Sequence, residues 1–79
     1  MNTITYNNIE YDVVEDANDD TACYYVDGEL IVTASACMMT NQVNVERHEC
    51  GSVETVEMDD IDRDNPIEGH RTILAAVLS

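Results

Sequence analysis

The stretch TACYYVDGELIVTASA, Thr21 to Ala36, decides the fold. Two runs rich in β-branched and aromatic residues flank Asp27-Gly28. Asp-Gly suits a two-residue turn with positive φ at both positions, because glycine has no Cβ to clash and Asp tolerates that conformation. Leu30, Val32, Ala34 and Ala36 alternate, so a strand would place them on one face. The segment predicts a β-hairpin of Thr21–Val26 with Glu29 to about Ala36.

The same signals extend outward. On the N-terminal side, Ile4-Thr5-Tyr6 and Ile9 to Val13 flank Asn7-Asn8, and Asn tolerates positive φ, so a second hairpin is expected. Ile9, Tyr11 and Val13 share one face, and Glu10 and Asp12 the other. Glu15 to Asp20 reads as a solvated loop. On the C-terminal side, Met38 to Gln42 is a connection, and Val43 to Glu49 a strand with Val43 and Val45 inward. Gly51-Ser52 turns the chain into Val53–Met58, and Asp59 to Asp64 is a charged loop. Asn65-Pro66-Ile67-Glu68 then supplies a helix cap, a proline at the first helical position and a glutamate at the third. Ile67, Ile73, Leu74, Val77 and Leu78 share one side of that helix, which Gly69 weakens by about 1 kcal/mol relative to alanine. The expected fold is α+β: residues 1–79 as a single domain, with an antiparallel sheet of hairpins of about five or six strands and a C-terminal helix packed on one face.

Composition agrees. Nine Val and six Ile against three Leu favour strands. A 44% hydrophobic content is too high for a disordered acidic tail, and no apolar run is long enough for a membrane span. Met1 to Tyr6 has neither a basic stretch nor an apolar core of the secretory type. Cys23, Cys37 and Cys50 cannot all pair within one chain, so reduced thiols in a cytoplasm are expected.

Motifs for site chemistry are weak. Asp60-x-Asp62-x-Asp64-Asn65 resembles the opening of an EF-hand loop, but Asn65 stands where glycine is expected and Arg71 where a bidentate glutamate is required. His48-x-Cys50 is the only close His–Cys pair, and structural zinc sites bring more ligands together. No nucleophile signature surrounds the cysteines, and His70 reads as a satisfied, partly buried helix residue. Phosphate-binding glycine loops and basic patches for direct nucleic-acid contact are absent. No enzyme, metal or cofactor is expected.

What remains is the acid. Seventeen Asp and Glu face three Arg and no Lys, a net charge of −14. Solubility needs far less, and like charges at this density oppose folding. Membrane surfaces and nucleic acid would repel the chain, so the expected partner is a basic protein surface. Alternate strand residues lie ~6.6–6.8 Å apart, a spacing of the same order as successive phosphates, so carboxylates on strands and adjoining loops can imitate a phosphate track. The candidate binding residues are Glu10, Asp12, Asp19, Asp20, Asp59, Asp60, Asp62 and Asp64. In size, charge and lack of Lys the whole chain resembles the small phage-encoded anti-CRISPR proteins, several of which act as DNA mimics. The resemblance implies an inhibitor that blocks the basic DNA channel of a type I effector complex, and it carries no motif and no residue assignments. The competing expectations are a non-mimic interaction protein, such as an antitoxin or phage assembly factor, and an acidic surface adapted to solubility or high salt.

Overall fold

A computed structural model of the chain describes residues 2–16, 18–62 and 64–78. Met1, Ala17, Arg63, Ser79 and the side chain of Asn2 lie outside the described residues, so the two expected acidic loops are described on either side of Ala17 and Arg63. Six strands follow in order: β1 (Asn2–Tyr6), β2 (Ile9–Asp16), β3 (Thr21–Val26), β4 (Glu29–Cys37), β5 (Gln42–Arg47) and β6 (Ser52–Glu57). A single 3₁₀ turn (Met58–Asp60) leads to α1 (Pro66–Leu78). Each strand pairs antiparallel with the next, so spatial order equals chain order. The expected α+β architecture is the one found.

Turn chemistry fixes the register. The two-residue turns carry positive φ at both positions: Asn7 (51°) with Asn8 (66°), and Asp27 (51°) with Gly28 (82°). Both fit the twist of the flanking strands. The other three strand connections each hold four residues, as Asp16 pairs Thr21, Cys37 pairs Gln42 and Arg47 pairs Ser52. Each ends on a left-handed residue: Asp20 (φ 52°), Asn41 (φ 55°) and Gly51 (φ 71°). Every one of these positions is Asn, Asp or Gly, the residues that occupy that region at least strain.

Several boundaries and faces depart from the expected ones. β2 continues through Asp16, so Glu15 and Asp16 are strand residues, and β5 ends at Arg47, leaving His48 to Gly51 as a turn. In β4, Val32 pairs Tyr24 but Leu30 pairs Tyr25, which leaves Ile31 as an extra residue. This bulge breaks the two-residue alternation. Leu30 therefore leaves the face shared by Val32 and Ala34, and Ile31 packs against the core in its place.

The core lies between the concave face of the sheet and α1. Tyr24, Val32, Val45 and Leu74 have no exposed surface, and Ile4, Tyr11, Val13, Val43, Ile73 and Val77 surround them. Although β1 and β6 are opposite edges, α1 touches both and also packs on β5, so the sheet coils around the helix. The helix begins as its sequence predicts: Asn65 Oδ1 accepts the Glu68 N–H at 3.4 Å. The reciprocal bond is replaced, because the Asn65 N–H donates to Asp62 Oδ1 (3.2 Å) and Glu68 instead pairs with Arg71 (2.9 Å). Ile67 is 51% exposed. At about 100° per residue the buried stripe centres near His70 and Val77, which leaves Ile67 at its margin. Gly69 is buried in that stripe, and a Cβ there would approach Ile61 Cγ2 to 3.0 Å and the Asp62 carbonyl oxygen to 3.3 Å. Its cost in helix propensity accompanies a close approach that alanine would obstruct.

Candidate functional site: the acidic end of the sheet

In an antiparallel meander, connections leave alternate ends. The β1–β2, β3–β4 and β5–β6 turns share one end, while the β2–β3 loop, the β4–β5 loop and the β6–α1 segment share the other. The two acid-rich stretches of the chain are both of the second kind. Glu15, Asp16, Asp19 and Asp20 therefore meet Glu57, Asp59, Asp60, Asp62, Asp64 and Glu68 at one end, ten of the seventeen carboxylates. Hydrogen bonds tie the segments together there: Ala36 N–H to the Asp20 carbonyl (2.9 Å) and Met58 N–H to the Asn41 carbonyl (3.0 Å). Among the described residues, Arg71 pairs with Glu68 at 2.9 Å and the His70 ring bonds Glu15 at 2.7 Å. Gln42 adds a neutral donor to Glu57 at 2.7 Å. Met38 and Met39, 73% and 96% exposed, project from the β4–β5 loop at the same end.

Of the eight candidate residues, Asp19, Asp20, Asp59, Asp60, Asp62 and Asp64 lie at this end. Glu10 and Asp12 do not. They sit opposite Thr5 and Thr3 on the convex face of β2, and Val14 interrupts their alternation before Asp16. Glu15, Asp16, Glu57 and Glu68 join the acidic end without having been singled out. The parity of the strand count could have placed them, once six strands were assigned.

Beside the acids opens a cleft of about 600 Å³ between the first half of α1 and the ends of β2–β5. Its floor is apolar, with Ala22, Ala34, Ala36, Val43 and Ile73, and its rim carries Glu15, Asp16, Asp20 and Asp62. Three alanines on the sheet, Ala22, Ala34 and Ala36, line the cleft with short side chains opposite the first half of α1. One wall is a relay. His70 Nε2 donates to Glu15 Oε1 at 2.7 Å, and His70 Nδ1 accepts from the Tyr24 hydroxyl at 2.7 Å. A carboxylate only accepts, which sets this tautomer in the neutral ring. Burial, with the Glu15 charge second, pushes the Tyr24 hydroxyl far above its ordinary 10.0. His70 is thus a satisfied, mostly buried histidine, 11% exposed at its side chain.

The weaker motifs resolve differently. Asp62 of the EF-hand-like stretch turns its Oδ1 onto the Asp64 and Asn65 N–H groups. His48 and Cys50 lie on a turn, and the His48 ring bonds Thr33 at 2.6 Å. Hydrogen bonds to Thr40 and to Ser52 hold the Cys37 and Cys50 thiols below their ordinary 9.0. Among the described residues, no three His, Cys, Asp or Glu side chains group as a metal site would need, and no helix is long and apolar enough to cross a membrane. No protein-family model, curated protein or solved structure matches the chain, so its geometry alone bears on function.

Proposed function

We propose that this chain is an acidic inhibitor that occupies a basic nucleic-acid-binding site, in the manner of a DNA-mimic anti-CRISPR protein on a type I effector complex. The observation that carries the reading is the gathering of ten carboxylates at one end of the sheet with one arginine partner among the described residues, Arg71 on Glu68. A surface evolved only for solubility has no need of that polarity. An anionic end on a small domain is drawn to a cationic channel over long range and at high rate. Met38 and Met39 add flexible apolar contact at the same end, and methionines adapt to irregular partner surfaces. Binding by occlusion asks no chemistry of the inhibitor.

The experiment is competition. A guide-loaded type I effector complex is titrated with the protein in the presence of labelled target duplex DNA. The protein is expected to displace the DNA at one site, with affinity that falls steeply as salt rises. Joint replacement of Asp59, Asp60, Asp62 and Asp64 by Asn removes four exposed charges and should weaken binding about tenfold or more. Asn at position 62 retains the oxygen that holds the turn. Unchanged affinity in that variant, or a complex insensitive to salt, defeats the reading. Simultaneous binding of protein and DNA would favour the non-mimic interaction protein.

A further inference from the structure

The cleft specifies what a partner must insert, an inference that rests on the reading above and narrows it. We propose that it receives one arginine side chain of the partner, with the aliphatic stem lying on Ala22, Ala34 and Ala36 and the guanidinium held between Asp16 and Asp20 on one rim and Asp62 on the other. The first ground is the cavity itself. Its volume of about 600 Å³ lies within the range of about 300–1,000 Å³ typical of ligand sites. The second ground is its chemistry. The floor is apolar and four carboxylates stand on the rim, so a bare cation would waste the floor and an apolar ligand would bury the acids unpaired. The occupant needs a long apolar stem ending in a positive charge.

The disposition of the acids favours arginine over lysine. Carboxylates approach from two chain segments, the β2–β3 connection and the β6–α1 segment, and a planar guanidinium can donate to both at once where an ammonium acts as a point charge. A weakly hydrated guanidinium also loses less on leaving water beside Ile73 and the His70 ring. The rim is held in place beforehand: Asp16 Oδ1 accepts the Asn18 N–H at 2.9 Å and Asp62 Oδ1 the Asp64 N–H at 2.9 Å. Their Oδ2 atoms and the Asp20 carboxylate make no hydrogen bond among the described residues. His70 is already committed to Glu15 and Tyr24, so it does not neutralise those three acids.

The test is an amide-resolved NMR titration of the full chain with N-acetyl-arginine methylamide, its lysine counterpart and spermidine as probes. The arginine probe should saturate, with a Kd on the order of 1 mM, and shift amides of residues 20–22, 34–36 and 69–73. The lysine probe should bind about fivefold more weakly or less. Ala36→Met or Ala22→Met, each confirmed folded by its dispersed spectrum, should abolish saturation by filling the floor, and the Asp16→Asn, Asp20→Asn pair should weaken it. Equal affinity for lysine, shifts spread evenly over the acidic surface, or tighter binding of spermidine to the same amides would each overturn the assignment, the last in favour of a free polyamine. Effector binding separates this proposal from the broader one. If Ala36→Met binds the effector normally while the four-aspartate variant does not, the cleft assignment fails and the acidic-end reading stands. If the arginine probe saturates the cleft but the protein never binds the effector, the cleft stands and the broader reading fails.

Discussion

Tyr24 has no exposed surface, and its hydroxyl donates to a histidine that is itself fixed by a carboxylate. Replacing it by Phe leaves Nδ1 of a mostly buried ring without a donor, and chemical denaturation should register a loss of about 1–3 kcal/mol. The same residue gives a signed pH effect. Because the folded-state pKa lies above the unfolded value of 10.0, the native state holds the proton more tightly. Its contribution is fully present below pH 10 and declines as the pH rises past that point toward the folded value. Stability measured across the alkaline range should fall more steeply in the parent than in Tyr24→Phe. Cysteine reactivity is a second property of single residues. Hydrogen bonds lower the pKa of Cys37 and Cys50, and thiolate fraction governs alkylation. Timed alkylation read by mass spectrometry should modify both before Cys23, and Ser52→Ala should slow Cys50.

At the scale of elements, the two-residue turns and the helix start were legible because each rests on a local steric fact. Asn and Asp at positive φ mark the turns, and Asn65 caps α1. Asn41, at φ 55°, tests this: Asn41→Gly should match or exceed the parent in thermal stability, whereas Asn41→Ala should lose about 1 kcal/mol. Gly69 is different, because its role depends on a neighbour. Alanine there gains about 1 kcal/mol of helix propensity but meets Ile61 Cγ2 at 3.0 Å. Gly69→Ala should therefore be worse in the parent than in an Ile61→Ala background, with a coupling of at least about 0.5 kcal/mol in a double-mutant cycle. The bulge at Ile31 was not legible. Leu30 and Ile31 are both apolar, and the choice between them was made by the pairing of β4 with β3.

For the molecule as a whole, charge and topology act together. A net charge of −14 on 79 residues opposes folding by self-repulsion. Raising ionic strength from about 0.01 to about 0.15 M shortens the screening length from about 30 Å to about 8 Å, so the urea midpoint should rise over that range while affinity for a basic partner falls. Those opposite slopes separate a docking surface from simple halophilic adaptation, which predicts only the first. Met38→Ser with Met39→Ser should leave the urea midpoint unchanged, since both side chains are exposed, and reduce partner binding measured by calorimetry.

The chain by itself settled the kind and order of its elements, because β-branched runs, positive-φ turn residues and a capped helix are local preferences that tertiary contacts here reinforce. It also settled the sign and size of the charge. What awaited the folded molecule was the placement of that charge. Glu15 reads as loop in sequence, yet it is the last inward residue of β2, and its partner His70 lies fifty-five positions away. The acidic end comes from strand parity, and its cleft from three alanines of the sheet lying beside the first half of α1. Such juxtapositions join residues distant in sequence, and no local preference encodes them.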